Sequence, residues 1–238
     1  MAVSGKCYLS LHENNNSANR GSCYQTCRKA YVVSEKESGN ELEIDNEYIM
    51  SPKDLCTIAF VNKLLDSGVR IFKIEGRARS PEYVKTVSSA YNEALEAVLA
   101  GNFDEPLILK LRSRLESVFN RGFWDGYYLG QKLGDWSHNY GSSATKRKIY
   151  LGKVTNYFTK LKVAEIKLET RDLRKGDEIL IIGPSTGVVE YSIDEIRVDD
   201  KQVSKAVKGE YCSIKVEEFL RRSDKVYLWV DAKEIKKQ

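Results

Sequence analysis

The sequence predicts an α/β region built of strand–helix units, followed by a small all-β barrel. Two observations carry this. Between residues 51 and 100, helix-like and strand-like patterns alternate with short connectors, the rhythm of parallel strands covered by helices. From Ile149 onward the pattern changes to short alternating strands, separated by turn residues at the spacing of a small barrel. The change falls in Gly141-Ser-Ser-Ala-Thr-Lys-Arg-Lys148, which reads as a linker between residues 1–140 and residues 149–238.

The elements follow in order. Met1 to Asn46 has no long periodic stretch: Cys7-Tyr-Leu-Ser is a short apolar piece with Cys7 in a tight loop, and Glu13 to Arg20 is a polar loop. Ser22 can cap a short helix, and Tyr31-Val-Val with Glu41-Leu-Glu-Ile-Asp45 alternates like a hairpin turned by Ser38-Gly39-Asn40. Ser51-Pro52 then starts a helix that Gly68 closes. Val69-Arg-Ile-Phe-Lys-Ile-Glu75 reads as a buried strand, and Ser80-Pro81-Glu82 opens a helix from Tyr83 to Ala100. Another amphipathic helix covers Leu107 to Phe119, before the glycine- and aromatic-rich run Asn120 to Gly130. Strands are expected at 150–154, 163–168, 178–182, 188–193, 211–216 and 225–230.

Composition narrows the classes. With 42% hydrophobic and 30% charged residues in 238, the chain is neither disordered nor collagen-like. No apolar run approaches the roughly 18 residues of a membrane span. The start lacks the basic-then-apolar layout of a secretory leader, so a cytoplasmic protein without disulfides is expected. A net charge of +4 permits a nucleic-acid partner through a local patch without arguing for one. A (β/α)₈ barrel needs around 250 residues, and a lone parallel strand cannot stand without neighbours. With one clear strand–helix unit visible, the chain reads as the C-terminal piece of a longer protein whose N-terminal half is missing.

Four of the five cysteines, Cys7, Cys23, Cys27 and Cys56, crowd the first quarter. On a helix the spacing of Cys23 and Cys27 places both sulfurs on one face, one turn apart, within reach of one metal centre. Four soft thiolates converging from such segments would suit zinc or an iron–sulfur cluster. The same residues also read as small buried hydrophobes. Cys212 alternates with apolar strand residues and reads as core.

Along the expected strand 69–75, Lys73 and Glu75 share one face, continued by Arg77, and would point into a barrel. Glu75 and Arg77 fall at its C-terminal end, where barrel active sites lie, although an internal ion pair is the plain alternative. The run around Arg121-Gly-Phe-Trp could stack unpaired bases or wedge two domains together. Lys146, Arg147 and Lys148 could grip phosphate or simply be solvated linker. Only two histidines occur, His12 and His138, with no H-E-x-x-H, G-x-S-x-G or nucleotide-loop motif.

At these residues a family likeness emerges. Ser4-Gly-Lys-Cys-Tyr-Leu-Ser10 and Ser17-Ala-Asn-Arg-Gly-Ser-Cys-Tyr-Gln-Thr-Cys-Arg28 resemble the cysteine block of peptidase family U32. Met50-Ser-Pro-Lys-Asp-Leu55, Phe72-Lys-Ile-Glu-Gly-Arg77, Ser80-Pro-Glu-Tyr83 and Phe119-Asn-Arg-Gly-Phe123 match later blocks in the same order. The resemblance implies the C-terminal portion of a TIM-like barrel followed by a small β-barrel. It further implies either a collagenase-like protease or an enzyme that hydroxylates RNA without molecular oxygen. The most similar branch makes 5-hydroxyuridine at the transfer-RNA wobble position with prephenate as co-substrate; a sister branch acts on ribosomal RNA.

By this resemblance a [4Fe-4S] cluster would sit on Cys7, Cys23, Cys27 and Cys56, with an upstream cysteine as the other candidate for the fourth ligand. Glu75 and Arg77 are the expected catalytic residues. Lys73, Arg20, Arg121, Lys146, Arg147 and Lys148 are the expected substrate contacts. A peptidase and a non-catalytic RNA-binding module are the alternative readings.

Overall fold

The computed structural model describes residues 2–3, 6–16, 24–32, 36–37, 51–76, 79–131, 135–138 and 141–235. In chain order these form β1 (Ala2–Val3), β2 (Lys6–Cys7), α1 (Tyr8–Asn14), β3 (Asp54–Leu55), α2 (Val61–Asp66), α3 (Pro81–Ala100), α4 (Glu105–Ser117) and β4 (Phe123–Trp124). There follow β5 (Lys146–Phe158), β6 (Val163–Leu168), β7 (Leu173–Arg174), β8 (Glu178–Gly183), β9 (Gly187–Ser192) and β10 (Ile196–Val198). The chain ends with β11 (Lys201–Val203), β12 (Lys205–Ala206), β13 (Tyr211–Lys215), β14 (Lys225–Asp231) and α5 (Ala232–Ile235). Two compact units result. The first gathers Met1–Val69, Phe103–Arg112 and Phe119–Ser143; the second gathers Arg70–Asn102, Ser113–Val118 and Ala144–Gln238.

In the first unit β1 and β2 pair antiparallel and lead directly into α1, so Cys7 ends a strand and is not in a tight loop. The segment after Ser51 departs from expectation. Ser51 is buried, its carbonyl accepts from the Ser137 amide at 2.8 Å, and Pro52 bridges to Trp136. Those pairings hold the backbone extended, and Asp54–Leu55 joins Phe123–Trp124 as a short parallel ladder. The helix therefore starts later, with a 3₁₀ turn at Ile58–Phe60 leading into α2, and Gly68 ends it at φ 95°. The hairpin expected at residues 31–33 and 41–45 lies largely outside the described residues.

The second unit opens with residues 70–76, where a buried strand was expected. Among the described residues this segment joins no sheet. Its period of two survives: Phe72 and Ile74 are half-buried, while Ile71, Lys73 and Glu75 are exposed. Sequence pattern alone makes an extended segment, but a strand needs a neighbouring backbone to hydrogen-bond.

α3 is as expected. Extended Ser80 precedes it, Pro81 fills the first turn and Gly101 closes it at φ 72°. Val87, Ala90, Ala94 and Ala97 form its buried stripe at helical spacing. Asp104 caps α4 by accepting the Leu107 amide at 3.0 Å.

The remainder is an eight-stranded antiparallel sheet in the order β11-β10-β13-β6-β5-β14-β8-β9, with a separate β7–β12 pair. All six expected strands are present. Inward residues of these strands join one apolar cluster, including Leu151, Val154, Ile166, Leu168, Ile181, Ile214 and Val226. Register shifts at Val154/Asn156 and Val226/Tyr227 bend β5 and β14. The short β10 and β11 escape the pattern because Asp199 and Asp200, both at positive φ, turn the hairpin without a glycine. Lys146, Arg147 and Lys148, expected in the linker, are the first residues of β5 and pair with Asp231, Val230 and Trp229.

Two glycines mark close approaches. A Cβ on Gly152 would collide with the Lys167 carbonyl oxygen, and one on Gly183 with the Asp224 carboxylate. A backbone carbonyl in a ladder cannot swing away as a side-chain end can. Gly152→Ala should therefore cost about 3 kcal/mol and lower the melting temperature, as overpacking in a closed core does. A thermal melt of the variant matching wild type would contradict this close approach.

Candidate functional site

The cysteine-bearing segments of the first unit are built around two short turns. Gln25 sits at φ 53°, so the backbone is left-handed just before the 3₁₀ turn Thr26–Arg28. The backbone is therefore not α-helical from Gln25 into Cys27, while Cys23, the other half of the expected pair, lies outside the described residues. Cys27 is a free, half-buried thiol. Tyr31 folds back over the turn, its hydroxyl donating to the Thr26 carbonyl at 2.7 Å. Burial raises the Tyr31 pKa, with smaller contributions from the charges of Glu13 and Cys27.

Arg28 ties this turn to the segment that carries Cys56. Its guanidinium donates to the Ser51 hydroxyl at 2.9 Å and to the Pro52 carbonyl at 3.0 Å. Cys56 follows β3, not a helical first turn; it is buried, and its amide donates to the Trp124 carbonyl at 3.0 Å. Asp54 anchors the same ladder: its carboxylate accepts the Arg121 guanidinium at 2.7 Å and the Arg121 amide at 3.0 Å. Lys53 pairs with Asp135 at 2.7 Å. The conspicuous sequence blocks Ser51–Cys56 and Asn120–Trp124 are thus two sides of one small framework.

The hydroxyls of Ser10 and Thr26 are buried without a hydrogen-bond partner. Ser10 lies three residues after Cys7 and Thr26 immediately before Cys27. Such orphaned donors are uncommon, because burying an unpaired hydroxyl costs free energy.

The other expected residues separate clearly. The Cys7 side chain, Cys23, Arg20 and Arg77 lie outside the described residues. Among the described residues no group of three or more His, Cys, Asp or Glu side chains is placed to hold a metal ion. Lys73 and Glu75 are exposed on the extended segment 70–76. In the second unit Lys146 pairs with Glu178, and Lys148 pairs with Glu82 at 2.9 Å and lies over the Tyr227 ring; Arg147 is exposed. Cys212 is core as expected, its thiol pushed up to about 12 by burial, so it is neutral and unreactive near neutrality. His12 and His138 are exposed, and among the described residues neither hydrogen-bonds to a serine, threonine or cysteine.

The sequence reading missed Arg28, Asp54, Ser10 and Thr26. A cation directly after Cys27 and an aspartate two residues before Cys56 were the available signals. Their partners, 23 and 67 residues away, were not.

Residues 1–138 match the model of peptidase family U32, more than half of the chain, and the chain belongs to that family. A collagenase of Porphyromonas gingivalis is 60% identical over 95% of this chain and 55% of its own length. A tRNA hydroxylation protein of Bacillus subtilis is 31% identical over 84% of this chain and 48% of its own. The 23S rRNA 5-hydroxycytidine synthase of Escherichia coli is 34% identical over 57% of this chain and 21% of its own. The chain thus spans little more than half the length of the curated collagenase that it matches. Among the described residues no helix is long and apolar enough to cross a membrane.

Replacing Asp54 by alanine removes both acceptors from Arg121, a side chain that is only 12% exposed. The expected loss is about 1–3 kcal/mol, most of it from the guanidinium left without its partner. A double-mutant cycle with Arg121→Ala measures the coupling, and additive losses would show that the pair is not the anchor described.

Proposed function

We propose that this protein is an RNA-modifying enzyme that hydroxylates the transfer-RNA wobble uridine to 5-hydroxyuridine, with prephenate as co-substrate. The extent of likeness supports transfer RNA as the substrate. The match to the Bacillus subtilis tRNA hydroxylation protein runs over 206 residues, more than the 138 of the family block, and so reaches into the C-terminal sheet. The match to the ribosomal-RNA enzyme runs over 141 residues. An unpaired anticodon base leaves its stack cheaply, which suits chemistry on a single pyrimidine.

Cys7, Cys23, Cys27 and Cys56 would hold a [4Fe-4S] cluster, which when bound supplies one-electron transfer. The Arg28 tie between the Cys27 and Cys56 segments and the unpaired hydroxyls of Ser10 and Thr26 support that donor set. In the whole protein, residues 70–76 would be one strand of a TIM-like barrel whose neighbours come from the half that the longer relatives possess. Glu75 and Arg77, at the strand's tip, would then face the target base. The C-terminal sheet would act as a small β-barrel. Lys73, Arg20, Arg121 and the exposed Arg147, flanked by Lys146 and Lys148, would help to hold the RNA.

A second reading, peptidase activity, is favoured by the 60% identity to the Porphyromonas gingivalis collagenase. Whole protein that cleaves gelatin, and stops doing so on a point substitution, would support it.

The test is made on cells and on protein. Transfer RNA from a deletion strain should lose 5-hydroxyuridine by mass spectrometry, with recovery on wild-type complementation but not with Cys23→Ala. Anaerobically purified protein should carry about four iron and four sulfide per chain, and Cys23→Ala should lose them. Unchanged hydroxyuridine in the deletion strain overturns the proposal.

A further inference from the structure

The outer face of the C-terminal sheet carries an aromatic and basic groove that the candidate site does not use. β13 and β6 pair with Tyr211 opposite Lys167 and Ser213 opposite Glu165. Their alternating neighbours Cys212, Ile214, Ala164 and Ile166 fill the core, so these four point outward. Lys167 Nζ lies 4.1 Å from the centre of the Tyr211 ring, which is 52% exposed. Across the groove, Phe219 meets Tyr157 edge to face at 5.4 Å and is itself 55% exposed. Arg221 lies 5.5 Å from the Phe219 ring. The groove has a volume of about 920 Å³ and is lined by Tyr157, Glu165, Tyr211, Phe219, Arg221 and Arg222 among others.

The loop bearing Phe219, Arg221 and Arg222 is fixed from within. Leu220 is buried in the core. Asp224, also buried, accepts the Arg221 amide at 2.8 Å and the Thr186 hydroxyl at 2.6 Å. Tyr157 is pinned by donating to the Val216 carbonyl at 2.9 Å. The acidic Glu165 accepts the Thr155 hydroxyl at 2.5 Å. Three cations, Lys167, Arg221 and Arg222, thus flank two half-exposed rings on a fixed frame; Glu165 lines the groove, and Glu217 and Glu218 act on Tyr157 from its edge. Scattered exposed aromatics are ordinary. Two held open in one groove, each with a cation over its ring, match a ligand that offers flat π-faces and negative charge together.

We propose that this groove binds an unpaired stretch of RNA, with bases stacking at Tyr211 and Phe219 and phosphates meeting Arg221 and Arg222. This rests on the RNA-hydroxylase reading and extends it by assigning the RNA a second, non-catalytic foothold. An acidic peptide would satisfy the arginines but gain nothing from the open rings.

The test is fluorescence anisotropy of the whole chain with a labelled single-stranded RNA and with tRNA. Tyr211→Ala and Phe219→Ala should each weaken binding roughly tenfold, as loss of one base-stacking platform does. Arg221→Gln with Arg222→Gln should weaken it and lower the salt slope by about two. Lys85→Ala, a change at an exposed cation paired with Glu190, should leave binding as in wild type. Arg222→Gln alone touches only an exposed side chain, so it reads the groove even where Phe219→Ala fails to fold.

Unchanged affinity in the folded variants overturns the groove, and so does an acidic peptide competing as well as RNA. The two readings fail separately. Hydroxyuridine that vanishes in the deletion strain while the groove variants bind normally sinks the groove alone. Binding lost in the variants while hydroxyuridine persists in the deletion strain sinks the hydroxylase alone.

Discussion

The C-terminal sheet depends on the backbone contact between β5 and β6 at Gly152. β5 is thirteen residues long and pairs along one edge with β6 and along the other with β14. Opposite Gly152 stands Leu168, and the chain leaving β6 turns over β5 there, with the Glu169 amide donating to the Leu151 carbonyl at 2.8 Å. Only a residue without Cβ lets the Lys167 carbonyl come so near. β13 on β6 and β8 on β14 keep the registers that turn their own apolar alternation towards the same core.

The parts of the fold legible in the sequence were those where one local rule decided the outcome. α3 announces itself through Ser80, Pro81 and Gly101, and the six main strands through alternation against a single core. The segments that misled carry a local signal which a distant partner overrides. Ser51-Pro52 has the chemistry of a helix start, yet Ser137 and Trp136 hold it extended. Residues 70–76 alternate like a strand but acquire no ladder among the described residues. Gln25 carries no glycine-like warning of its left-handed backbone.

The candidate site divides along the same line. The cysteine block was visible from residue type and order, and the family likeness gave it a chemistry. The tie that brings the Cys27 turn to the Cys56 segment was not visible, because Arg28 looks like any surface cation until Ser51 and Pro52 are seen beneath it. Charge counting was equally blind to the groove, since a net +4 says nothing of where two arginines and two rings share one wall.

The ion pairs between α3 and the sheet have a practical consequence for dissection. Glu82 meets Lys148 and Lys85 meets Glu190, so the helix belongs to the body that begins again at Ala144. The polypeptide enters and leaves that body several times before settling there. A scissile site in the Gly141 stretch would therefore not free an autonomous fragment: the released tail would have forfeited its own helix, which would remain on the other product.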